Sequence, residues 1–169
     1  LREQIEPLKK MIDAFGVNRM ELEGYEADDL IGTVAKNFEQ SGYDVYIITG
    51  DKDAFQLVSD KIKVLFTKKG ISELDEYTPE KMMEKYEITA NQFIDLKGLM
   101  GDQSDNIPGV AGIGEKTGIK LLKEYGSIEN IYANIGEITK STKTKLESGY
   151  DMAFLSKSLA TIMIDIPIE

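Results

Sequence analysis

Seven carboxylates fall into three short clusters whose spacing could hold metal ions. Glu26, Asp28 and Asp29 stand in YEADDLIG, Asp51 and Asp53 in ITGDKDAFQ, and Asp102 and Asp105 in LMGDQSDNIPGV. At the second cluster an apolar run, Val45 to Ile48, ends at a glycine and two aspartates separated by one lysine. Two carboxylates on one short turn repel each other unless a cation lies between them. Each cluster has a plainer explanation when taken alone. Acidic side chains in a first helical turn complement the dipole by roughly 0.3–1 kcal/mol each, an aspartate can cap the segment that begins at Ala54, and Asp, Ser and Asn are ordinary turn formers. Taken together, seven anions in one pocket are unstable without counter-ions, whereas two divalent ions would neutralise four charges and leave a site shaped for phosphate. Two hard cations about 4 Å apart can activate water and stabilise the leaving oxygen in phosphodiester hydrolysis.

Composition narrows the chemistry to that class. The chain has 169 residues, 41% of them apolar, enough for one sizeable core or two small ones. It has no cysteine and no histidine, which excludes disulfides, thiolate or imidazole catalysis and an ordinary zinc site. Oxygen-only ligands favour magnesium, manganese or calcium. No apolar run is long enough for a membrane span and no leader pattern stands out, so the default expectation is the cytoplasm and no membrane partner. The net charge of −10 argues at first against a nucleic-acid partner, but setting the seven clustered carboxylates aside reduces it to −3.

The elements that must position these residues follow from periodicity. Ile5, Leu8, Met11, Ile12 and Phe15 predict a helix closed near Gly16, followed by a short strand over Val17 to Leu22. Ala27, Leu30, Ile31, Val34 and Phe38 predict a helix from about Glu26 to Gln40, then a strand over Val45 to Thr49, buried on both faces if the sheet is parallel. Lys61 to Phe66 reads as another strand, with a turn at Lys68-Lys69-Gly70 and a returning arm from Ile71 to Tyr77. Thr78-Pro79 and Thr89 with Gln92 read as helix starts, and from Ala90 the pattern is helical up to an extended tail at Thr161 to Glu169. The expected fold is α/β: a partial parallel sheet with flanking helices over residues 1–95, then a helical subdomain over 96–169.

Directly after the third cluster, Gly112-Ile113-Gly114 gives a tight turn between helices with an apolar residue at its centre. Glu115 then opens a helix bearing Lys116, Lys120 and Lys123, whose N-terminal amides favour phosphate. This is the form of a helix-hairpin-helix, a binder of DNA backbone without sequence preference. Ile107, Val110, Leu121 and Leu122 fall at core spacing around it. Lys61, Lys63, Lys68 and Lys69, or Lys140, Lys143 and Lys145, either extend a phosphate track or are solvated surface.

ELEGYEADDLIGT, ITGDKDAFQLVSD, TKKGISEL and LKGLMGDQSDNIPGVAGIGEKTGIKLLKEYGS, which together run over essentially the whole chain, closely resemble the 5'-3' exonuclease domain of bacterial DNA polymerase I. Phage 5' nucleases and flap endonucleases belong to the same family, whose core is PIN-like. The resemblance implies that Glu26, Asp28, Asp29, Asp51, Asp53, Asp102 and Asp105 are catalytic and hold two magnesium (or manganese) ions. It implies that Gly109, Val110, Gly112, Ile113, Gly114, Lys116, Thr117 and Lys120 grip duplex DNA, with K+ on hairpin carbonyls. The implied substrates are 5' flaps, nicked or gapped duplex and RNA-DNA primer junctions, cleaved in primer removal and repair at the bacterial nucleoid, with a polymerase domain in the same parent chain.

The family also has a first strand with an aspartate, a second aspartate and a helical arch, none of which matches residues 1–169. The expectation is therefore weak metal and duplex binding with little or no cleavage by this piece alone. Two other classes stay open: a non-catalytic DNA-binding module with vestigial carboxylates, and a small-molecule phosphohydrolase built on GDKD, which has no need of the glycine hairpin.

Overall fold

The computed structural model describes residues 2–68 and 73–168. The expected turn at Lys69-Gly70, the first residues of the returning arm from Ile71, and Glu169 lie outside the described residues. Helix α1 (Arg2–Ala14) carries its apolar stripe as expected and ends before Gly16, which takes the left-handed conformation that closes a helix. Helix α2 (Ala27–Gln40) starts on Glu26 and stops at Ser41.

Three strands, β1 (Val45–Thr49), β2 (Ile62–Thr67) and β3 (Leu74–Tyr77), form one sheet in that order. The β1/β2 pair is parallel, with Val45 opposite Ile62 and Thr49 opposite Phe66. β3 returns antiparallel, with Val64 opposite Tyr77, so the sheet is mixed. Two expectations need correction. Val17–Leu22 is not a strand: none of its backbone groups joins a ladder, and an extended segment gains nothing without such partners. Nor is β1 buried on both faces, since Ile47 enters the core while Tyr46 and Ile48 are 53% and 64% exposed. Among the described residues β1 pairs only with β2 and is an edge strand, so one of its faces stays open.

The remaining elements are helical: α3 (Pro79–Tyr86), α4 (Ala90–Met100), α5 (Glu115–Tyr125), α6 (Ile128–Ala133), α7 (Lys140–Ser148) and α8 (Tyr150–Ala160). The starts of α3 and α4 follow the sequence reading. Thr78 Oγ1 accepts from the Lys81 amide ahead of Pro79, and Thr89 with Gln92 closes a reciprocal capping box.

A short 3-10 turn, Asp53–Leu57, crosses from β1 toward β2 and is anchored by Phe55, which is fully buried. The Phe55 ring stacks on Tyr77 with centroids 4.0 Å apart and meets Phe66, Tyr86 and Phe93 at 5.5–6.0 Å. Burial of one such ring is worth roughly 1.5–3 kcal/mol, and this one holds the backbone two residues after Asp53. Beyond α8 the chain runs back across α2 as an extended strap. Gln56 fastens it by donating to the Ala160 carbonyl (2.9 Å) and accepting from the Ile162 amide (3.0 Å).

Gln56 is buried, so Gln56→Leu leaves a carbonyl and an amide without partners. A loss of about 2 kcal/mol in denaturant-induced unfolding is expected. An unchanged midpoint would mean that apolar burial of Ile162 holds the strap unaided.

Candidate metal centre and nucleic-acid interface

The three acidic clusters converge at one edge of the sheet. Glu26, Asp28, Asp29, Asp51, Asp53 and Asp105 line a single cavity of about 580 Å³, walled on its far side by the end of α8 and the strap. The seventh, Asp102, opens onto an adjoining cavity of about 440 Å³ that also includes Asp51. Asp53, Asp102 and Asp105 each offer a carboxylate oxygen within 4.8 Å of the others. All donors are hard oxygens, the set that suits magnesium or manganese.

Backbone amides hold Asp29, Asp51 and Asp102. Asp51 follows β1, where the strand's carboxyl end opens, and its Oδ1 accepts from the Asp53 amide at 2.9 Å, tightening GDKD into a turn that presents both side chains. Asp29 is committed to structure through both oxygens: Oδ2 accepts from the Glu26 amide (3.2 Å) and Oδ1 from the Met163 amide of the strap (2.9 Å). Asp28 is raised above the usual carboxylate range by burial first, then by Asp51, Asp53, Glu26 and Asp29. That excess of negative charge is what a divalent cation would relieve.

Lys97, on the last turns of α4, is the functional group that the carboxylate pattern alone did not reveal. Its side chain is 7% exposed, and its Nζ lies 2.5 Å from Asp53 Oδ1 and forms a second ion pair with Asp102. Burial opposes the charge on Lys97, but hydrogen bonds to Asp102 and Asp53 outweigh it and hold the ammonium above its ordinary range. Burial raises Asp53, helped by Asp51 and Asp102 against the pull of Lys97. At Asp102 burial is overcome by Lys97 and by the Ser104 hydroxyl and amide, which bring it to about 2. The signal was present in the sequence: a lysine five residues before Asp102, set between Leu96 and Leu99 in the last turns of the helix.

The loop from Asp102 to Ile107 joins the cluster to the hairpin. Asp102 and Ile107 exchange backbone hydrogen bonds of 2.9 and 2.8 Å, and Gly101 and Gly109 cross in close contact, both with positive φ. A Cβ on Gly109 would lie 2.2 Å from the Gly101 nitrogen, so only glycine permits the crossing. Val110 and Ile113 are buried, and their side chains serve the core, leaving only backbone for a ligand. Gly114 starts α5 without a side-chain cap, so it leaves the first amides of α5 without a capping side chain. Lys116 and Lys120 are exposed along the same helix and share a shallow hollow, while Thr117 is half-buried. Of the other lysines, Lys63 and Lys68 pair with Glu76 and Asp75 on the sheet, and Lys61 donates to the Gly42 carbonyl. Lys143 approaches Glu147, Lys145 donates to the Gly112 carbonyl at 3.1 Å, and Lys140 lines a hollow beside Gly109.

Two family models account for the sequence from end to end: a 5'-3' exonuclease N-terminal resolvase-like domain over residues 1–87 and a 5'-3' exonuclease C-terminal SAM fold over 88–169. The chain belongs to the 5'-3' exonuclease family. It is 54% identical to DNA polymerase I of Bacillus subtilis over 170 aligned residues, covering 100% of this chain and 19% of that protein. The chain thus spans about a fifth of the length of the curated relatives it matches. Among solved structures, T5 5'-exonuclease with bound divalent zinc superimposes with a TM-score of 0.79 at 28% identity, over 94% of this chain and 58% of that one. The catalytic core of Rad2 in complex with DNA shares the fold, with a TM-score of 0.65 at 21% identity over 100% of this chain and 57% of that one. Among the described residues no helix is long and apolar enough to cross a membrane.

For this 5'-3' exonuclease chain the Lys97 arrangement gives a direct test. Lys97→Met leaves Asp53 and Asp102 uncompensated, at a cost of about 3–5 kcal/mol in metal-free buffer. Manganese at 100-fold above its dissociation constant should restore about 2.7 kcal/mol. Thermal unfolding with and without manganese reads both effects. A variant that manganese does not rescue would show that the carboxylates do not share a cation.

Proposed function

We propose that the carboxylate cluster holds two divalent cations, magnesium or manganese, and that the intact protein hydrolyses phosphodiester bonds at the 5' ends of DNA strands. The observation that carries this reading is the convergence of three sequence-distant acidic clusters on one cavity, next to a hairpin that opens an uncapped helix with exposed lysines. Bound there, the cations would supply Lewis acidity and neutralise charge on the phosphate. Asp51, Asp53, Asp102 and Asp105, with Glu26 and Asp28, would hold them, while Asp29 fixes α2 against the strap. Lys97 keeps Asp53 and Asp102 in position and limits their repulsion.

Duplex DNA binds by its backbone along Gly109–Gly114 and the exposed lysines of α5, supported by the uncapped N-terminus of that helix. A potassium ion on the hairpin carbonyls would share Gly112 with Lys145. The substrates we assign are 5' flaps, nicked or gapped duplexes and RNA-DNA primer junctions, in primer removal and repair at the bacterial nucleoid beside a polymerase domain of the same parent chain. The labour divides near residue 95, with the sheet part presenting four of the six cation-binding carboxylates proposed above and the helical part presenting two of them and the DNA grip.

One observation favours a second reading, a non-catalytic DNA-binding module: Lys97 already neutralises part of the acidic cluster. Asp53→Asn/Asp102→Asn in the full-length protein separates the two. Loss of 5'-end cleavage by at least 100-fold with duplex affinity retained supports the nuclease, whereas intact function would leave only the binding module.

Lys116→Ala should weaken duplex binding by a similar factor for every sequence and lower the slope of log K against log salt by about 1. Losses that depend on base sequence would contradict a backbone contact.

A further inference from the structure

The start of α2 brings Glu26, Asp28 and Asp29 to the carboxylate cavity, and the two long faces of this helix are held very unequally. On one face Leu30, Ile31 and Val34 are only half-buried and line, with Tyr46 and Ile48 of β1, an open hollow of about 420 Å³. Apolar packing is incomplete on that side. On the opposite face the strap lies directly against the helix. A Cβ on Gly32 would stand 2.7 Å from Ile162 Cγ2 and 3.3 Å from the Met163 carbonyl oxygen, so the strap occupies the space that a side chain would fill.

Asp29 and Thr33 stand one turn apart on this face and fasten the strap through its backbone. Asp29 Oδ1 accepts from the Met163 amide, and Thr33 Oγ1 donates to the Met163 carbonyl at 3.4 Å and accepts from the Ile166 amide at 3.3 Å. Thr33 is 1% exposed, so its hydroxyl has no access to substrate and serves the strap alone. Ile162 and Met163 in turn line the carboxylate cavity together with Asp28, Asp51 and Asp53. The contact that seats α2 is therefore part of the wall of the cavity its carboxylates enter. Magnesium demands near-octahedral ligation at about 2.0–2.1 Å, so small displacements of a ligand-bearing helix matter. Groups that orient ligands without touching the metal commonly change its affinity by roughly 10–100-fold.

We propose that Thr33 is a positioning residue for the metal centre. By holding the strap against α2 it fixes where Glu26 and Asp28 stand relative to Asp51 and Asp53. This role rests on the two-cation reading above. Coupling between two sites is reciprocal, so cations bound at the carboxylates also tighten the strap.

The test is amide hydrogen exchange, read by mass spectrometry, on the full-length protein over a magnesium titration. It follows residues 50–57, the GDKD turn, and residues 162–168, the strap. In the wild type magnesium should slow exchange in both segments by about tenfold and with one half-point. Thr33→Val keeps the shape and removes both hydroxyl hydrogen bonds; it should raise the half-point at the turn by about tenfold. Thr33→Ser restores the hydroxyl and should return the half-point to the wild-type value. A half-point that Thr33→Val leaves unmoved, with exchange in the strap merely faster, would show a structural role only and overturn the inference. Should Thr33→Val fail to fold, the wild-type titration decides: protection of the turn without protection of the strap also overturns it, with the two-cation reading intact. Magnesium that protects neither segment overturns that reading and the inference with it.

Discussion

One buried ammonium sets the arrangement of this edge of the protein. Lys97 is shared between Asp53, which comes from the turn after β1, and Asp102, which comes from the loop after α4. A charge enclosed at 7% exposure is tolerated only when paired, and its two partners belong to different halves of the chain. The pairing therefore does two jobs. It ties the sheet to the helical part, and it restrains two carboxylates that would otherwise push apart. Divalent cations would strengthen the same attraction, so the edge is built to hold positive charge of either origin.

Rigidity around that pair comes from apolar contacts rather than from more charge. Phe55 lies two residues from Asp53 and is enclosed by Tyr77, Phe66, Tyr86 and Phe93, so the GDKD turn is fixed to strands and helices together. On the other side, Gly101 and Gly109 touch through backbone atoms, and the loop between them carries Asp102 and Asp105. That loop runs straight into the hairpin. Asp102, Asp105 and the glycine hairpin are consecutive parts of one short segment.

Much of this was legible in the sequence. The α2 boundary at Glu26, the β1 strand and the caps at Thr78 and Thr89 follow from local rules of periodicity and hydrogen bonding, which depend on neighbours in the chain. The clusters could be grouped because carboxylates on turns at element ends have few local reasons to be so numerous. What failed depended on partners distant in sequence. Val17–Leu22 has strand-like composition but no neighbouring strand, and the exposure of Tyr46 and Ile48 depends on what lies beside β1, not on β1 itself. Lys97 was missed because a lysine on an apolar helix reads as surface until its two acidic partners are placed. The two backbone hydrogen bonds that Asp29 accepts, from Glu26 and from Met163 of the strap, were also beyond reach, since the second comes from 134 residues away.

The overall charge of −10 disfavours a polyanionic partner, but the lysines are unevenly distributed. On the sheet, Lys63 and Lys68 are matched by Glu76 and Asp75, and on α2 Lys36 is matched by Glu39. Around the hairpin, Lys116, Lys120, Lys140 and Lys145 have no carboxylate within 4.0 Å among the described residues. Screening in physiological salt extends over about 8 Å, so a bound strand experiences the local set of charges rather than the sum over the molecule. On the proposed reading, DNA attracted at the hairpin would meet a dense negative cluster a short distance further along. A backbone phosphate can be held there only if cations come with it. Net charge therefore says little about the proposed interface, where metal and nucleic acid would have to bind together.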